Sequence, residues 1–377
     1  MPNDEVRVLV INPGSTSTKF GVFGRSGAEW TGTVRHRDDE LEKFRGMSAL
    51  AQLDYRAVPL VDALSKAGYE LTGFAAVGGR GGLLPPLECG TYLVDDVVVG
   101  ELRQARRGEH ACNLGAVLAL KFARAGGVNA YIVDPVTVDE WQDGARLSGS
   151  PLLPRLCSGH ALNTKAVARR FAAEAGRTYA SLRLVVLHMG SGITVSAHRE
   201  GRMIDNNTPD EGPFGPDRTG AVPVRSLIKV CCSGNYNAKQ LERMVFGEGG
   251  LFAYLGTRDL QEVERRIGHG DRDAKAVLDA MIYQIAKEAG GMAAALEGKV
   301  DAVLLTGGMA HSERVVTRLR EYLKWIAPIH VYPGEDELRA LADGVFRVLN
   351  GEEPAKRLSS DARTKDTGRE RLVIGLE

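Results

Sequence analysis

The chain has 377 residues, 44% apolar and 25% charged, with Lys plus Arg equal to Asp plus Glu at 48 each, which is the composition of a globular protein of about two domains. Zero formal charge offers no electrostatic reason for nucleic acid or an anionic membrane as partner, and no run reaches the roughly 18 apolar residues of a membrane span. The N-terminus lacks the regions of a signal peptide. The five cysteines (Cys89, Cys112, Cys157, Cys231, Cys232) have no Cys-x-x-Cys spacing, so a cytoplasmic protein with reduced thiols is expected. Cys157 stands three residues before His160, but no second ligand pair supports a metal centre.

The first predicted element is a buried apolar strand at 8–11, ending in Asn12, a small-residue turn and a second strand from Phe20. Gly14 lets an anion approach the backbone, Ser15, Thr16, Ser17 and Thr18 carry hydroxyl donors, and Lys19 adds a positive charge. By itself such a cluster also fits an ordinary hairpin tip. Neither G-x-x-x-x-G-K-[ST] nor G-x-G-x-x-G opening a helix after a strand is present, which argues against a P-loop or Rossmann nucleotide site.

A third strand is expected at 29–34, and helical spacing covers 41–67, with Gly68 as the stop. A short strand at 74–77 runs into Gly78, Gly79, Arg80, Gly81 and Gly82, a loop in which four glycines surround one arginine. That loop either brings the guanidinium close to a ligand or is a plain turn. Helices follow at 95–107 and 113–125, with Glu109 and His110 between them. A strand at 130–133 ends in Asp134, where open α/β sheets place their ligands, although Asp before Pro135 also suits a turn. His160 opens a helix to about 175.

The second half repeats the opening design: a strand from 184, His188, then Gly190, Ser191 and Gly192 before another strand. Two such hairpins, one per half, suggest a duplicated domain with nucleotide between the halves. A third strand at 202–205 leads into a loop at 206–220 with three prolines, among them Pro209, three glycines and Arg218; so stiffened a loop is usually functional. Helices are predicted at 223–230, 238–246, 260–267 and 271–296. A strand at 302–305 delivers Gly307 and Gly308, bare backbone on which a base and ribose could lie. Helix 313–325, strand 329–332 and helix 337–349 complete the alternation, and the charged tail from 351 is expected to be peripheral. The pattern indicates an α/β fold in two similar lobes.

The motifs INPGSTSTK, GRGGLL, GEHACNLGA, HALN, HMGSGITVSAHREGRMID, DEGPFGPDRTG, LLTGGMAHSE and VYPGEDEL stand in the order found in butyrate kinases. From about Val8 to Leu358 the chain resembles butyrate and branched-chain carboxylate kinases, relatives of acetate kinase within the acetate and sugar kinase, heat-shock chaperone and actin superfamily. The resemblance implies a duplicated actin-like ATPase fold with ribonuclease H-like lobes and the ligands in the cleft between them. Lobes of 1–160 and 161–336 are expected, with the helix and tail at 337–377 packing on the first. The implied reaction is reversible, ATP-dependent phosphorylation of a short-chain fatty acid to an acyl phosphate by direct in-line transfer. Acetate or propionate kinase is the alternative within the class, and a nucleotide-dependent binding module is the alternative outside it.

By the same resemblance, Arg80 holds the acid, Arg218 the acid or the transferring phosphoryl, and His160 the phosphoryl oxygens, with His110 at a further family site position. Asp134, Glu337 and the Asn12 hairpin organise Mg²⁺ and the phosphates of ATP or ADP. Glu335 and Asp336, adjacent in sequence, are open alternatives for the role of Glu337. The valine, leucine, phenylalanine and proline that wall the acyl pocket of acetate kinase fall at Gly82, Glu109, Gly159 and Pro209. Two large walls thus become glycine, which predicts room for an acid longer than acetate. Ser191 replaces an asparagine of acetate kinases, and a homo-oligomer is expected.

Overall fold

Short, fully buried apolar runs alternating with amphipathic helices build two units, and the computed structural model describes residues 6–359. The first unit takes the described residues through Asp139, with Ser148–Pro154 and those from Asp336 on. Its strands are β1 (Val8–Pro13), β2 (Ser17–Gly24), β3 (Gly27–Arg35), β4 (Ala76–Arg80), β5 (Thr91–Leu93) and β6 (Asn129–Val133), in the spatial order β3-β2-β1-β4-β6-β5. The opening meander is antiparallel, whereas β1, β4 and β6 run parallel. Gly78 and Gly79 are neighbours in β4 and meet Val345 and Gly115 respectively, so helices Glu337–Leu349 and Asn113–Gly126 cover opposite faces of the sheet.

The second unit comprises Glu140–Leu147 and Arg155–Glu335. Its strands are β7 (Arg183–Met189), β8 (Ile193–Arg199), β9 (Arg202–Asn206), β10 (Ala302–Gly307) and β11 (Ile329–Pro333), ordered β11-β10-β7-β8-β9. Strand period two divides β7 cleanly. Val185 and Leu187 pack with Leu278 and Ile285 of helix Arg272–Ala295, while Leu184 and Val186 pack with Val167 and Phe171 of helix Ala161–Glu174. Each unit therefore starts with a three-strand meander and lays its next strand parallel to the first. This is the expected duplication.

Four expectations change. The single helix over 41–67 is broken into short turns and a helix at Leu53–Lys66, because Gly46 takes φ +78° and Ser48 accepts the Leu50 amide at 3.3 Å to start a new turn. The glycines before Arg80 belong to β4 instead of a loop, and β5, only three residues long, was not anticipated. The helix expected over 95–107 stops at Gln104, since Ala105 turns left-handed at φ 43°. Finally, residues 140–147 and 155–160, expected with the first lobe, group with the second unit. The buried pair of Lys165 and Glu140 at 2.6 Å, and the Trp141 indole donating to Asn206 at 2.7 Å, tie this segment to β9 and the helix after His160.

The tail expected at the periphery lies outside the described residues from 360 onward. Among the described residues no helix is long and apolar enough to cross a membrane, and none of the five cysteines is in a disulfide.

Candidate active site

In the first unit, the register places Ile11 beside Gly79 and Arg80 beside Val133, so Asn12, Arg80 and Asp134 emerge together at the carboxyl ends of three adjacent parallel strands. Glu337, at the start of its helix, links two of them. Its Oε2 accepts from the Asn12 amide at 2.5 Å and its Oε1 is ion-paired with Arg80, whose side chain is 18% exposed. An acidic side chain in the first helical turn is also favoured by the helix dipole. The three neighbouring acids are thereby separated by their contacts. Asp336 caps the helix by accepting from Arg339 N at 3.2 Å, and Glu335 belongs to the second unit, where it faces His188.

Asp134 is 1% exposed, has φ 38°, and its Oδ1 accepts from Gly90 N at 2.7 Å, which anchors the entry to β5. The carboxylate thus joins the end of β6 to the start of β5. Among the described residues no cluster of three or more His, Cys, Asp or Glu could hold a metal. Asp134 and Glu337 are hard oxygen donors of the kind Mg²⁺ takes alongside nucleotide phosphates and water.

The β1–β2 turn keeps Ser15, Thr16 and Lys19 exposed and is closed by Gly14 N donating to Ser17 O at 2.7 Å. Beneath it lies Arg56, 1% exposed, which donates to Gly14 O at 2.8 Å, Ser15 O at 3.0 Å and Thr18 Oγ1 at 3.2 Å. Nothing in the sequence singled out Arg56, since one arginine in an amphipathic helix reads as solvated.

His110 lies exposed before helix Asn113–Gly126, its Nδ1 accepting from Cys112 N at 3.2 Å. Glu109 is no pocket wall: its Oε2 accepts from Ala49 N at 2.7 Å. The widened pocket also needs correction. A Cβ at Gly82 would lie 2.6 Å from Leu102 Cδ2 and from Asn113 Oδ1, and one at Gly159 would lie 3.0 Å from Asn206 Nδ2 and 3.2 Å from Thr194 Cγ2. Neighbours already fill the space next to both glycines.

In the second unit, four predicted residues converge on the β7–β8 turn. His160 stands at the N-cap of its helix, its Nδ1 2.8 Å from Thr194 Oγ1, and its ring stacks on His188 with centroids 4.0 Å apart. His188, 1% exposed, has Nδ1 2.5 Å from the Asn163 amide nitrogen and Nε2 3.3 Å from Glu335 Oε1. An amide NH₂ can only donate, so Nδ1 accepts and Nε2 carries the proton toward Glu335. A Cβ at Gly192 would lie 2.5 Å from Arg218 Nη1 and 3.1 Å from His160 Cε1, so glycine there lets the three residues meet.

Arg218 lies over the Phe246 ring at 4.1 Å, and its buried Nε has no hydrogen-bond partner among the described residues. Loss of hydration pushes its pKa down. Ser191 is exposed at the tip, next to Gly190, whose absent Cβ leaves space for Glu335. Gly307 has φ +90° and abuts the Met189 backbone, beside the β7 terminus, and Gly308 is exposed with open space at its Cβ position. Pro209 is half-buried in the loop after β9.

The model of the acetokinase family matches residues 155–329. Two Clostridium botulinum proteins described as "probable butyrate kinase" are similar over 352 residues, 93% of this chain and 99% of each relative. The one from strain Eklund 17B is 46% identical and the one from strain Alaska E43 is 45% identical. The solved structure of Porphyromonas gingivalis acetate kinase superposes with a TM-score of 0.78 at 19% identity, covering 91% of this chain and 100% of that one, which establishes the shared duplicated, actin-like fold.

Proposed function

The chain belongs to the acetokinase family and is a carboxylate kinase that uses ATP, and from that premise we propose that its acceptor is a short-chain acid of butyrate size, straight or branched, converted reversibly to the acyl phosphate. The two Clostridium relatives support this choice. With the space at Gly82 and Gly159 filled, chain-length preference rests on that kinship instead of on a widened pocket.

The observation that carries the phosphoryl assignment is Arg218: a desolvated guanidinium with an unsatisfied Nε, against the glycine of a phosphate-type hairpin and beside His160. A half-buried cation with an unsatisfied donor of this kind suits an anionic ligand. In the proposed reaction Arg218 and His160 bind the oxygens of the transferring phosphoryl, and Arg80 binds the acid. The Asn12–Lys19 turn and Gly190–Gly192 hold ATP phosphates, Gly307 and Gly308 lie under the nucleoside, and His188, buried with both ring nitrogens engaged, supports the site instead of touching phosphate as the sequence suggested. The acid is ionised at neutral pH and attacks without a general base. Catalysis then consists of positioning and charge neutralisation.

We assign Mg²⁺, which when bound draws charge from the phosphates, to Glu337 and Asp134. His110 remains a proposed site residue without a defined contact to substrate. Five cysteines outside disulfides support a cytoplasmic location. Helices Val224–Cys231 and Ala238–Val245 bury no residue of their own, which supports the proposed homo-oligomer.

The test is acyl phosphate formation from ATP, Mg²⁺ and acids of two to six carbons, trapped with hydroxylamine. A maximum at four or five carbons is expected. A maximum at two assigns the acetate alternative, and no product with any acid overturns the proposal.

A further inference from the structure

We propose that Arg56 is the positioning residue of the β1–β2 turn, which it orients from below and charges so that the turn binds the polyphosphate of the nucleotide. This rests on the reading of that turn as a phosphate site.

The geometry starts from the peptide plane. In a trans peptide the C=O and the following N–H point in opposite directions. Arg56 Nη1 and Nη2 bind the carbonyls of Gly14 and Ser15 at 2.8 and 3.0 Å, so the amide hydrogens of Ser15 and Thr16 are directed away from Arg56, toward the exposed side of the turn. Neither of these amides donates to another backbone group among the described residues. Two consecutive outward amides flanked by hydroxyls form an anion-binding concavity.

Charge points the same way. Arg56 is 1% exposed, its Nε donates to Gln52 Oε1 at 2.9 Å, and it makes no ion pair among the described residues. A guanidinium removed from water ordinarily takes a carboxylate partner. All its acceptors here are neutral, and four of them lie in the turn: Gly14 O, Ser15 O, Ser17 O and Thr18 Oγ1. Its positive charge is thus uncompensated directly behind the outward amides. The nucleotide phosphate is the counter-charge, and the five-donor fork explains why arginine and not lysine occupies the position.

The experiment compares wild type with Arg56→Gln, Arg56→Lys and Lys19→Met. For each, kcat, KM for ATP and KM for butyrate are measured alongside a thermal melt. Arg56→Gln is expected to raise KM for ATP about tenfold or more while KM for butyrate stays within about twofold. Arg56→Lys should fall between Gln and wild type. A purely structural arginine would lower the melting temperature and leave both KM values unchanged, which overturns the proposal. Should Arg56→Gln fail to fold, the Lys variant decides: a severalfold rise confined to KM for ATP supports the proposal, and no rise overturns it. Lys19→Met separates the two readings. If it raises KM for ATP but the Arg56 variants do not, the turn binds phosphate without Arg56. If none of the variants changes it, the phosphate reading of the turn falls as well.

Discussion

His160 and His188 lie face to face, their ring centroids 4.0 Å apart and their planes 16° from parallel. His188 is locked by Asn163 on one nitrogen and Glu335 on the other, so it acts as a fixed plate against which His160 is held beside Arg218 and Gly192. Thr194 Oγ1, 2.8 Å from Nδ1, holds the edge of the His160 ring, and the stack holds its face. Because misplacement by about 1 Å can cost about 100-fold, His188→Ala should lower kcat by roughly 10- to 100-fold with little change in KM for the acid. Steady-state kinetics would show this, and an unchanged kcat would mean that the stack does not position His160.

Gly82 is a packing position. Any Cβ there overlaps Leu102 and Asn113 at 2.6 Å, so Gly82→Ala should destabilise the fold by about 1–3 kcal/mol. Denaturant melts measure the loss. The ratio of activity with acetate to activity with butyrate should stay as in the wild type, whereas a shift toward acetate would restore Gly82 as an acyl-pocket wall.

Glu337 and Asp336 should differ despite being adjacent. Glu337→Gln keeps a hydrogen-bonding side chain near Asn12 and Arg80 but removes the charge, and should raise the Mg²⁺ concentration for half-maximal rate about tenfold. Asp336→Asn preserves the helix cap and should leave the Mg²⁺ titration unchanged. Equal effects in both variants would contradict the assignment of the metal to Glu337.

His36 gives the first unit an acid limit. Burial, and then the Arg56 cation, lower its pKa to about 4. Thr18 Oγ1 already accepts from Arg56, so its hydroxyl hydrogen is directed to His36 Nε2 at 2.9 Å, a bond that needs the neutral ring. Below the unfolded value near 6.5 the unfolded chain takes up a proton that the native chain refuses. Stability should therefore fall between pH 6.5 and 4, by on the order of 2–3 kcal/mol from this group. Denaturation across that range with His36→Gln alongside tests the effect, and identical pH slopes would contradict it.

The duplicated fold was legible because β1, β2, β7 and β8 are near-continuous apolar runs closed by small-residue turns, a local signal. Arg80, Asp134, His160, His188 and Arg218 stood out through their motifs. Arg56 did not, because its role exists only where the helix after Gln52 passes under a turn some forty residues earlier. Gly82 and Gly159 misled for the converse reason: a glycine records that a side chain is missing, not that Leu102, Asn206 or Thr194 has moved into the space. Likewise, the unit boundary depends on the buried contact between Lys165 and Glu140, partners 25 positions apart that no local pattern pairs.

The most direct test of phosphoryl transfer to a carboxylate is hydroxylamine-trapped acyl phosphate from butyrate and ATP, measured for wild type, Arg218→Ala and Arg218→Lys, with ATP affinity followed by calorimetry. Product from the wild type, a loss of about 10³-fold in the alanine variant, little recovery with lysine and ATP affinity within about threefold would match the role given to Arg218. Undiminished product from Arg218→Ala would contradict it.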